Sequence, residues 1–448
     1  MARAHRVAII GAGPAGLFAA QALTARDDTV EVDIYDRLPT PYGLLRYGVA
    51  PDHTGIKRVA ETLAAVFESR RVRFIGMVEL GRDVTREELC AGYDAVVYAL
   101  GASADAHLDV AGEELVGSLS AREFVAWYDG HPDAAPVELA GVREAVVVGV
   151  GNVAVDVARV LLKPVAELAD TDMPDPVLGE LDADRVTDVW VVGRRGPRQT
   201  AFTAVELREL ANLAEVEVTV DGATDEELSD DEGLDRRTRT VVTILREAAA
   251  RTVTAPRARL HFLFWHRVWR IDGDTEVASV RLERTEPGTD HRLRGTEHYR
   301  DLPAQLVLRA IGYRGRRLPG LPFDPVRGVI PNVEGRVTDA HGTVQPGEYV
   351  AGWIKRGATG VIGTNKSDAV QTVTHLLTDL AATEPRDLTD VPAQLAARGK
   401  QVADFAAWLR VDAAERDRGE AQGRIRTKVA TWRELTEVVT VADLDWVI

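Results

Sequence analysis

Residues 6–16 read Arg6-Val-Ala-Ile-Ile-Gly11-Ala-Gly13-Pro14-Ala15-Gly16, an apolar run that leads into a glycine-rich turn. An Ala- and Leu-rich stretch follows, and a β-branched run then ends at Asp36, so the pattern predicts one βαβ unit. Gly11 permits the tight turn, Gly13 lets the backbone approach a pyrophosphate, and Gly16 lets the helix pack on the strand. Asp36 is placed to accept hydrogen bonds from an adenosine ribose. The segment therefore predicts a dinucleotide site with its pyrophosphate at a helix N-terminus.

A second copy of the pattern reads Gly149-Val-Gly151-Asn152-Val153-Ala154, and a helical stretch follows it. Ala154 takes the place of the third glycine, which is an accepted variant. The next strand, at 189–193, ends in Arg194-Arg195 where the first copy has an acid. Two guanidinium groups can grip a phosphate bidentately, so the second site is predicted to favour NADP over NAD. The alternative is that these arginines belong to an ordinary solvated loop.

Two further apolar runs close on glycine, at 94–101 and 305–312, and they look like the strands that carry the chain between two domains. After the second run, several prolines lead to another apolar run near residue 350, which suggests a return to the first domain. The sequence thus predicts an α/β fold with two Rossmann-like dinucleotide-binding domains, the first discontinuous. The predicted first domain comprises 1–103 and 320–448, and the second comprises 104–319.

The composition limits the possible chemistry. The 448 residues include 54 basic and 70 acidic side chains, a formal net charge of −16, which argues against nucleic-acid or anionic-membrane partners. No apolar run approaches the roughly 20 residues of a membrane span, and the N-terminus does not resemble a signal peptide, so we expect a cytoplasmic protein. Cys90 is the single cysteine, which excludes an intramolecular disulfide and a Cys-ligated cluster. No HExxH motif is present, and no metal site is predicted.

Three other segments carry structural expectations only. Residues 260–270 with 277–283 are expected to form a small antiparallel meander inside the second domain. The segment 221–235 holds eight acids and no base, and is expected to be a solvated loop. Beyond residue 384 the chain is expected to form amphipathic helices, of which 394–409 is the clearest.

The residues become distinctive at Pro39-Thr-Pro-Tyr-Gly-Leu-Leu-Arg-Tyr-Gly-Val-Ala-Pro-Asp52-His53, where the chain resembles the adrenodoxin reductase family with its bacterial ferredoxin–NADP reductases. Four further blocks agree with this family, at 149–159, 192–197, 204–210 and 352–366. The resemblance spans about residues 5–380 in the family's order. The glycine motifs alone would fit any flavoprotein with two dinucleotides, whereas the Val-Ala-Pro-Asp-His and Gly-Trp-Ile-Lys-Arg-Gly blocks are more specific.

The resemblance implies a glutathione-reductase-like flavoprotein plan, with FAD in the first domain and NADP(H) in the second. It implies a ferredoxin/adrenodoxin–NADP+ reductase: hydride passes from NADPH to the flavin, and single electrons leave to a ferredoxin, reversibly in principle. Carried over by position, the FAD contacts are Ala15, Asp36, Leu44, Val84, Trp353, Gly360, Val361 and Ile362. The NADP contacts are Asn152, Val153, Ala154, Arg194, Arg195 and Glu206, with Gly360 near the nicotinamide.

Three further features bear on the reaction. The stretch 360–365 precedes a predicted helix at 366–380, whose N-terminal amides would face the flavin and stabilise negative charge on it. His53 and Glu209 are the expected catalytic residues, in the auxiliary role of sharing a proton or positioning the nicotinamide amide. Hydride transfer needs no protein acid, because the two cofactors carry the chemistry and the protein aligns them.

The cysteine count excludes two other classes of flavoprotein. Disulfide reductases need a CxxC pair, and the small subunit of glutamate synthase needs Cys-ligated clusters, neither of which one cysteine can supply. No fingerprint of flavin monooxygenases is found. Two alternatives stay open, an NADPH diaphorase or quinone reductase, and an FAD-containing redox subunit of a larger complex.

The expected partner is a small acidic iron–sulfur ferredoxin, and the protein is expected to be a monomer or weak homodimer. Because this chain is acidic too, the docking face must be locally basic. The candidates are Arg194, Arg195, Arg198 and Arg208, or the Lys355-Arg356 pair.

Overall fold

The computed structural model describes residues 4–183, 186–229, 233–290, 292–384 and 386–440. The strands are β1 (Arg6–Ile10), β2 (Glu31–Tyr35), β3 (Val72–Ile75), β4 (Ala95–Tyr98), β5 (Ala104–Asp105), β6 (Ser118–Ser120), β7 (Glu144–Val148), β8 (Asp188–Val192), β9 (Val216–Asp221), β10 (Ala258–Leu263), β11 (His266–Asp272), β12 (Ser279–Pro287), β13 (Leu293–Pro303), β14 (Leu306–Arg309), β15 (Tyr313–Arg314), β16 (Asn332–Val333), β17 (Arg336–Thr338) and β18 (Val344–Val350).

The helices are α1 (Pro14–Arg26), α2 (Leu44–Tyr47), α3 (Thr54–Lys57), α4 (Val59–Ala64), α5 (Arg86–Gly92), α6 (Ala121–Tyr128), α7 (Asn152–Leu162), α8 (Val165–Leu168), α9 (Asp175–Ala183), α10 (Ala204–Ala211), α11 (Arg236–Ala250), α12 (Trp353–Arg356), α13 (Ile362–Leu380), α14 (Val391–Ala397), α15 (Phe405–Glu420) and α16 (Trp432–Thr440). Two 3-10 turns occupy Ala65–Glu68 and Pro197–Gln199. Within the described ranges, no helix combines the length and apolar content that crossing a membrane requires.

The chain divides into two compact units. The first consists of Met1–Val49, His53–Asp105 and Gly312–Ile448, and the second of Ala50–Asp52 and Ala106–Ile311. The first unit is therefore discontinuous, and the chain leaves it after Asp105 and returns at Gly312.

The first unit is built on a seven-stranded sheet in the order β16-β17-β18-β4-β1-β2-β3. The five strands from β18 to β3 run parallel, and β16 and β17 form an antiparallel extension. Apolar side chains cover both faces of this sheet, and its central strands β1 and β4 are almost continuous apolar runs. The carboxyl ends of β1 and β4 therefore open at one edge, where a ligand of a doubly wound fold binds.

The second unit repeats this plan with an all-parallel sheet in the order β6-β14-β7-β8-β10-β9. A three-stranded antiparallel sheet of β11, β12 and β13 accompanies it. The predicted α/β fold with two Rossmann-like sheets is confirmed.

Two local expectations were wrong. Residues Ala258–Leu263 form β10 of the parallel sheet, so the meander begins only at β11 and includes β13. The segment 394–409 is not one helix, because Gly399 (φ +71°) ends α14 and Asp404 caps α15 by accepting from the Ala407 amide at 2.8 Å. Residues 230–232 of the acidic segment and 441–448 at the C-terminus lie outside the described residues.

Helix α15 supports the loop that follows β2. Arg46 is 7% exposed, and its guanidinium pairs with the fully buried Glu415 of α15 through two hydrogen bonds, one of 3.0 Å. Glu415 also accepts from Arg426 at 2.9 Å and from the Val429 amide at 2.9 Å. The Arg46 guanidinium lies 5.0 Å from the ring centroid of Trp408. Both carboxylate oxygens of Glu415 are thus hydrogen-bonded, and the loop is tied to α15.

We predict that Arg46→Ala destabilises the first unit by about 3 kcal/mol, because it leaves part of the buried Glu415 carboxylate unpaired. Urea unfolding followed by tryptophan fluorescence measures this loss. Arg433→Ala is the matched control, since its ion pair with Glu437 is exposed and worth about 0.3–0.5 kcal/mol. An Arg46→Ala variant that unfolds no earlier than this control would contradict the prediction.

Candidate dinucleotide sites

The first glycine turn joins β1 to α1 at very short range. Gly11 has φ +112° and donates its amide to the Tyr35 carbonyl at 2.7 Å. A Cβ at this position would lie 2.4 Å from the Ala99 carbonyl oxygen, so only glycine fits. Helix α1 begins at Pro14, and its Gly13 N-cap offers no capping side chain. The uncapped amides of the first turn, including Ala15 and Gly16, fit a phosphate group.

Asp36 lies directly beneath this turn. Its carboxylate accepts hydrogen bonds from the Ala12 amide at 2.8 Å and the Leu38 amide at 2.9 Å. Burial raises the pKa of Asp36, although these two hydrogen bonds act in the opposite direction. A carboxylate offers about four acceptor sites, so these hydrogen bonds do not use all of its acceptor capacity. The structure therefore shows a role in holding the turn, and ribose binding by Asp36 stays a prediction.

The loop after β2 packs on the same turn. Tyr42 donates its amide to the Ala12 carbonyl at 2.8 Å and adopts φ +81°, which is rare for a bulky residue. Its ring meets Trp408 edge to face at 5.7 Å, and burial raises the pKa of Tyr42 to about 12. Leu44, which starts α2, is 37% exposed and hence accessible to a ligand. Val84 differs, since its side chain is buried in the core of the first unit.

The Gly352-Trp353 block also reaches the first turn. A Cβ on Gly352 would lie 2.6 Å from the Ala15 Cβ, so the two backbones are in close contact. The Gly352 amide donates to Asp368 at 2.6 Å, and the indole of Trp353 donates to the Thr359 carbonyl at 3.1 Å. Trp353 is half-buried. The structure thus brings this block and the glycine turn together.

The Lys355-Arg356 pair cannot act as a docking face, contrary to expectation. Lys355 is 7% exposed, and its ammonium contacts Asp368 at 2.9 Å, Gln371 at 2.9 Å and Thr372 at 3.0 Å. Arg356 donates to the Asn365 side chain at 2.7 Å. Both cations are engaged in contacts within the first unit, so they are not available to a partner protein at the surface.

Helix α13 begins earlier than expected, at Ile362 instead of residue 366. Gly360 has φ +82°, and Val361 is 65% exposed just before the helix. The first turn contains no acidic residue, so the positive end of the helix dipole is not neutralised there. This N-terminus can stabilise a negative charge.

The second glycine turn repeats the geometry of the first. Gly149 has φ +130° and donates to the Val192 carbonyl at 2.9 Å, and a Cβ would lie 2.2 Å from the Ala310 carbonyl oxygen. Helix α7 then begins at Asn152, with Gly151 as its uncapped N-cap residue. A Cβ on Gly151 would meet nothing within 4 Å. Val153 is half-buried and Ala154 fully buried against the sheet.

A group of polar side chains lies beside this turn. Asn152 accepts from the Thr203 amide at 2.8 Å. The buried Thr203 Oγ1 and Glu206 Oε2 have no hydrogen-bond partner among the residues that the structure describes. Such atoms cost about 1–3 kcal/mol each when left unpaired, so they fit the donors of a bound molecule. Glu206 was predicted and Thr203 was not, although the Thr-x-x-Glu spacing was visible.

Arg194 and Arg195 follow β8 and are exposed. Their backbone is fixed, because the Arg194 carbonyl accepts from Thr285 Oγ1 at 2.8 Å and the Arg195 carbonyl from the Trp265 amide at 3.2 Å. Within the described ranges neither guanidinium makes a hydrogen bond or an ion pair. Two free, adjacent guanidinium groups on a fixed loop fit a phosphate.

His53 and Glu209 belong to different units. His53 is half-buried and precedes α3, and its carbonyl accepts the first hydrogen bonds of this helix from the amides of Ile56 and Lys57. Glu209 is exposed on α10, three residues after Glu206. Their catalytic role stays a prediction.

Sequence reasoning missed the role of Asp52, which precedes His53. Its carboxylate receives two hydrogen bonds from Arg159, at 2.9 and 2.8 Å, and one from Lys163 at 3.1 Å. Burial would raise the pKa of Asp52, but these cations outweigh it and hold the pKa well below its usual range. Asp52 therefore stays ionised and ties its segment to α7. Asp52 and Arg159 lie in two of the sequence blocks that resemble the family, 39–53 and 149–159, so the sequence did mark both residues.

Comparison with known proteins places these sites in a family. The pyridine nucleotide-disulphide oxidoreductase family model matches residues 5–352. NADPH-ferredoxin reductase FprA of Mycobacterium tuberculosis is 43% identical over 97% of this chain and 99% of its own length. Mitochondrial NADPH:adrenodoxin oxidoreductase of Bos taurus is 41% identical over 97% and 92%.

A solved structure of Mycobacterium tuberculosis FprA in complex with NADPH matches at a TM-score of 0.91 with 42% identity, and covers 98% of this chain and 100% of that one. These similarities extend far beyond the glycine motifs and confirm the resemblance seen in the sequence. The chain belongs to the pyridine nucleotide-disulphide oxidoreductase family, in the group of the NADPH-ferredoxin and adrenodoxin reductases.

Proposed function

We propose that this chain is an FAD-dependent oxidoreductase that takes a hydride from NADPH and passes single electrons to an iron–sulfur ferredoxin. The observation that carries the proposal is the free Arg194-Arg195 pair after a second glycine turn. On a chain 43% identical to an NADPH-ferredoxin reductase, this pair accounts for the use of NADPH.

The first unit has the residues to hold FAD. The amides at the start of α1 would bind the pyrophosphate, Asp36 the ribose, and Leu44 and Trp353 would line the rest of the molecule. Val84, whose side chain is buried in the core, could contribute only its backbone. Bound FAD supplies the step from a two-electron donor to a one-electron acceptor. The exposed residues Gly360 and Val361 lead into α13, which begins at the half-buried Ile362 and whose N-terminus would favour negative charge by about 0.3–1 kcal/mol.

The second unit has the residues to hold NADP(H). Arg194 and Arg195 would clamp the 2′-phosphate, and the start of α7 at Gly151 and Asn152 would receive the pyrophosphate. The unpaired Thr203 and Glu206 oxygens would accept hydrogen bonds from the nucleotide. We assign His53 and Glu209 an auxiliary role, in holding a proton or the nicotinamide amide.

The single cysteine separates this chain from the disulphide reductases of its own family, because no CxxC pair can take electrons from the flavin. The proposed acceptor is a small acidic ferredoxin. Of the predicted docking residues, Arg208 is exposed and has no assigned role in binding NADP(H), whereas Arg194 and Arg195 are assigned to the 2′-phosphate. Arg198 contributes less, since its guanidinium is bonded to the carbonyls of Glu226 and Glu227. We further propose a cytoplasmic protein that is a monomer or weak homodimer.

The function is tested by mixing the purified yellow protein with NADPH and following cytochrome c reduction with and without added ferredoxin. We expect NADPH to bleach the flavin and cytochrome c reduction to depend on ferredoxin. Bleaching with ferredoxin-independent turnover would favour a diaphorase or quinone reductase. Absence of bleaching would favour a redox subunit that uses FAD in a larger complex.

We predict that His53→Gln or Glu209→Gln slows flavin reduction by NADPH about tenfold or more without releasing FAD, because each removes a proton-holding group. Stopped-flow absorbance measures the rate, and the flavin-to-protein ratio measures retention. Glu247→Gln, which changes an exposed glutamate on α11, is the control. Reduction at the wild-type rate in both variants would refute an auxiliary role.

We predict that ferredoxin-dependent turnover falls about tenfold between roughly 0.05 and 0.5 M salt, because screening weakens the docking of opposite charges. NADPH reduction of a small uncharged dye should change much less. Arg208→Ala should raise the KM for ferredoxin severalfold, whereas Arg433→Ala on α16 should not. Parallel salt curves for ferredoxin and dye would count against electrostatic docking.

A further inference from the structure

Part of the acidic segment 221–235 packs against the loop that carries Arg194 and Arg195 and does not lie free in solvent. The Glu227 carboxylate accepts a hydrogen bond from the indole Nε1 of Trp265 at 2.8 Å. The Arg198 guanidinium donates to the Glu226 carbonyl at 2.6 Å and to the Glu227 carbonyl at 3.2 Å. The expectation of a simple solvated loop is therefore wrong for this part of the segment.

Trp265 connects that carboxylate to the loop. Its amide donates to the Arg195 carbonyl at 3.2 Å, and its own carbonyl accepts from the Thr285 amide at 2.8 Å. The residue adopts φ +55°, a left-handed conformation that costs a bulky side chain about 1–3 kcal/mol. The hydrogen bonds on both sides of the peptide and at the indole hold Trp265 in this unfavourable conformation.

Gly196 shows how closely the loop that carries Arg194 and Arg195 packs against Trp265 and Glu227. Its φ of −76° suits any residue, so conformation does not demand glycine here. A Cβ would instead lie 2.9 Å from the Trp265 ring and 2.5 Å from the Glu227 carboxylate. The residue after Arg194-Arg195 thus rests directly on the Trp265–Glu227 hydrogen bond.

Glu227 is itself held rigidly. Its second carboxylate oxygen accepts from the Thr224 amide at 2.9 Å, and its own amide donates to Thr224 Oγ1 at 3.2 Å. The neighbouring Asp225 and Glu226 are exposed, and their carboxylates have no partner in the part of the chain that the structure describes. Of these three adjacent acids, Glu227 is the one whose side chain is built into the loop.

We propose that Glu227 is a positioning residue for recognition of the 2′-phosphate, acting through the Trp265 indole and Gly196 on Arg194 and Arg195. The inference rests on the proposed function, since it assumes that the two arginines bind NADPH. The negative charge of Glu227 would by itself repel a phosphate bound at the two arginines. We therefore attribute its presence to the hydrogen bond that holds the Trp265 indole in place. Removing it should cost affinity for the 2′-phosphate and leave the rest of the nucleotide unaffected.

The test compares adenosine 2′,5′-bisphosphate with AMP, which differ only in the 2′-phosphate, by isothermal titration of the FAD-containing protein. We expect Glu227→Ala to weaken binding of the bisphosphate about tenfold, the size of one lost charge-assisted hydrogen bond, with AMP affinity unchanged. Trp265→Phe should give the same selective loss, because it removes the indole donor and keeps an aromatic ring. The double variant should lose no more than either single one, since both act through one hydrogen bond.

Glu226→Gln is the matched control, because it removes one negative charge next to Glu227 without touching the Trp265 contact. An unchanged or tighter bisphosphate affinity in this variant supports positioning over charge. Equal weakening of both nucleotides in Glu227→Ala and Trp265→Phe, or additive losses in the double variant, overturns the proposal. If the wild-type protein itself does not prefer the bisphosphate, the proposed NADPH site fails as well, so the two failures are distinguishable.

Discussion

Both nucleotide sites depend on one steric constraint, the close approach of a glycine backbone to the neighbouring strand. At Gly11 and at Gly149 a Cβ would lie 2.4 and 2.2 Å from a carbonyl oxygen. Any side chain there would push the glycine turn away from the end of the neighbouring strand, which is β4 for Gly11 and β14 for Gly149. The close contact therefore fixes the position of each uncapped helix N-terminus, which is where the proposed function places each pyrophosphate.

The two sites share this scaffold and differ in the residues at the end of the next strand. After β2 the chain has Asp36, whose carboxylate is partly used in holding its own turn. After β8 it has two arginines whose backbone is fixed and whose side chains are free within the described part of the chain. Under the proposed function, selectivity between nucleotides would come from these few residues at the strand ends, held in place by the contacts that fix their backbone.

The sequence was sufficient for the parts that depend on local pattern. Both βαβ units, the arginine pair and the discontinuous first unit could be predicted, because glycine spacing and strand ends are read along the chain. The burial of Lys355, the pairing of Asp52 with Arg159 and the hydrogen bond between Trp265 and Glu227 could not, because each needs a partner from another part of the chain. The early start of α13 was missed because Gly363 made its first turn resemble a loop.

The tie between Arg46 and Glu415 has a consequence for how the protein is made. The second unit is almost continuous, so it can fold as soon as its residues leave the ribosome. The first unit cannot, because β18 and α15, which complete its sheet and hold its first loop, are synthesised last. At about 5–20 residues per second, on the order of ten to forty seconds separates the synthesis of residues 105 and 312. During that interval the N-terminal glycine turn exists without its supports, so its nucleotide site can be completed only after almost the whole chain has emerged.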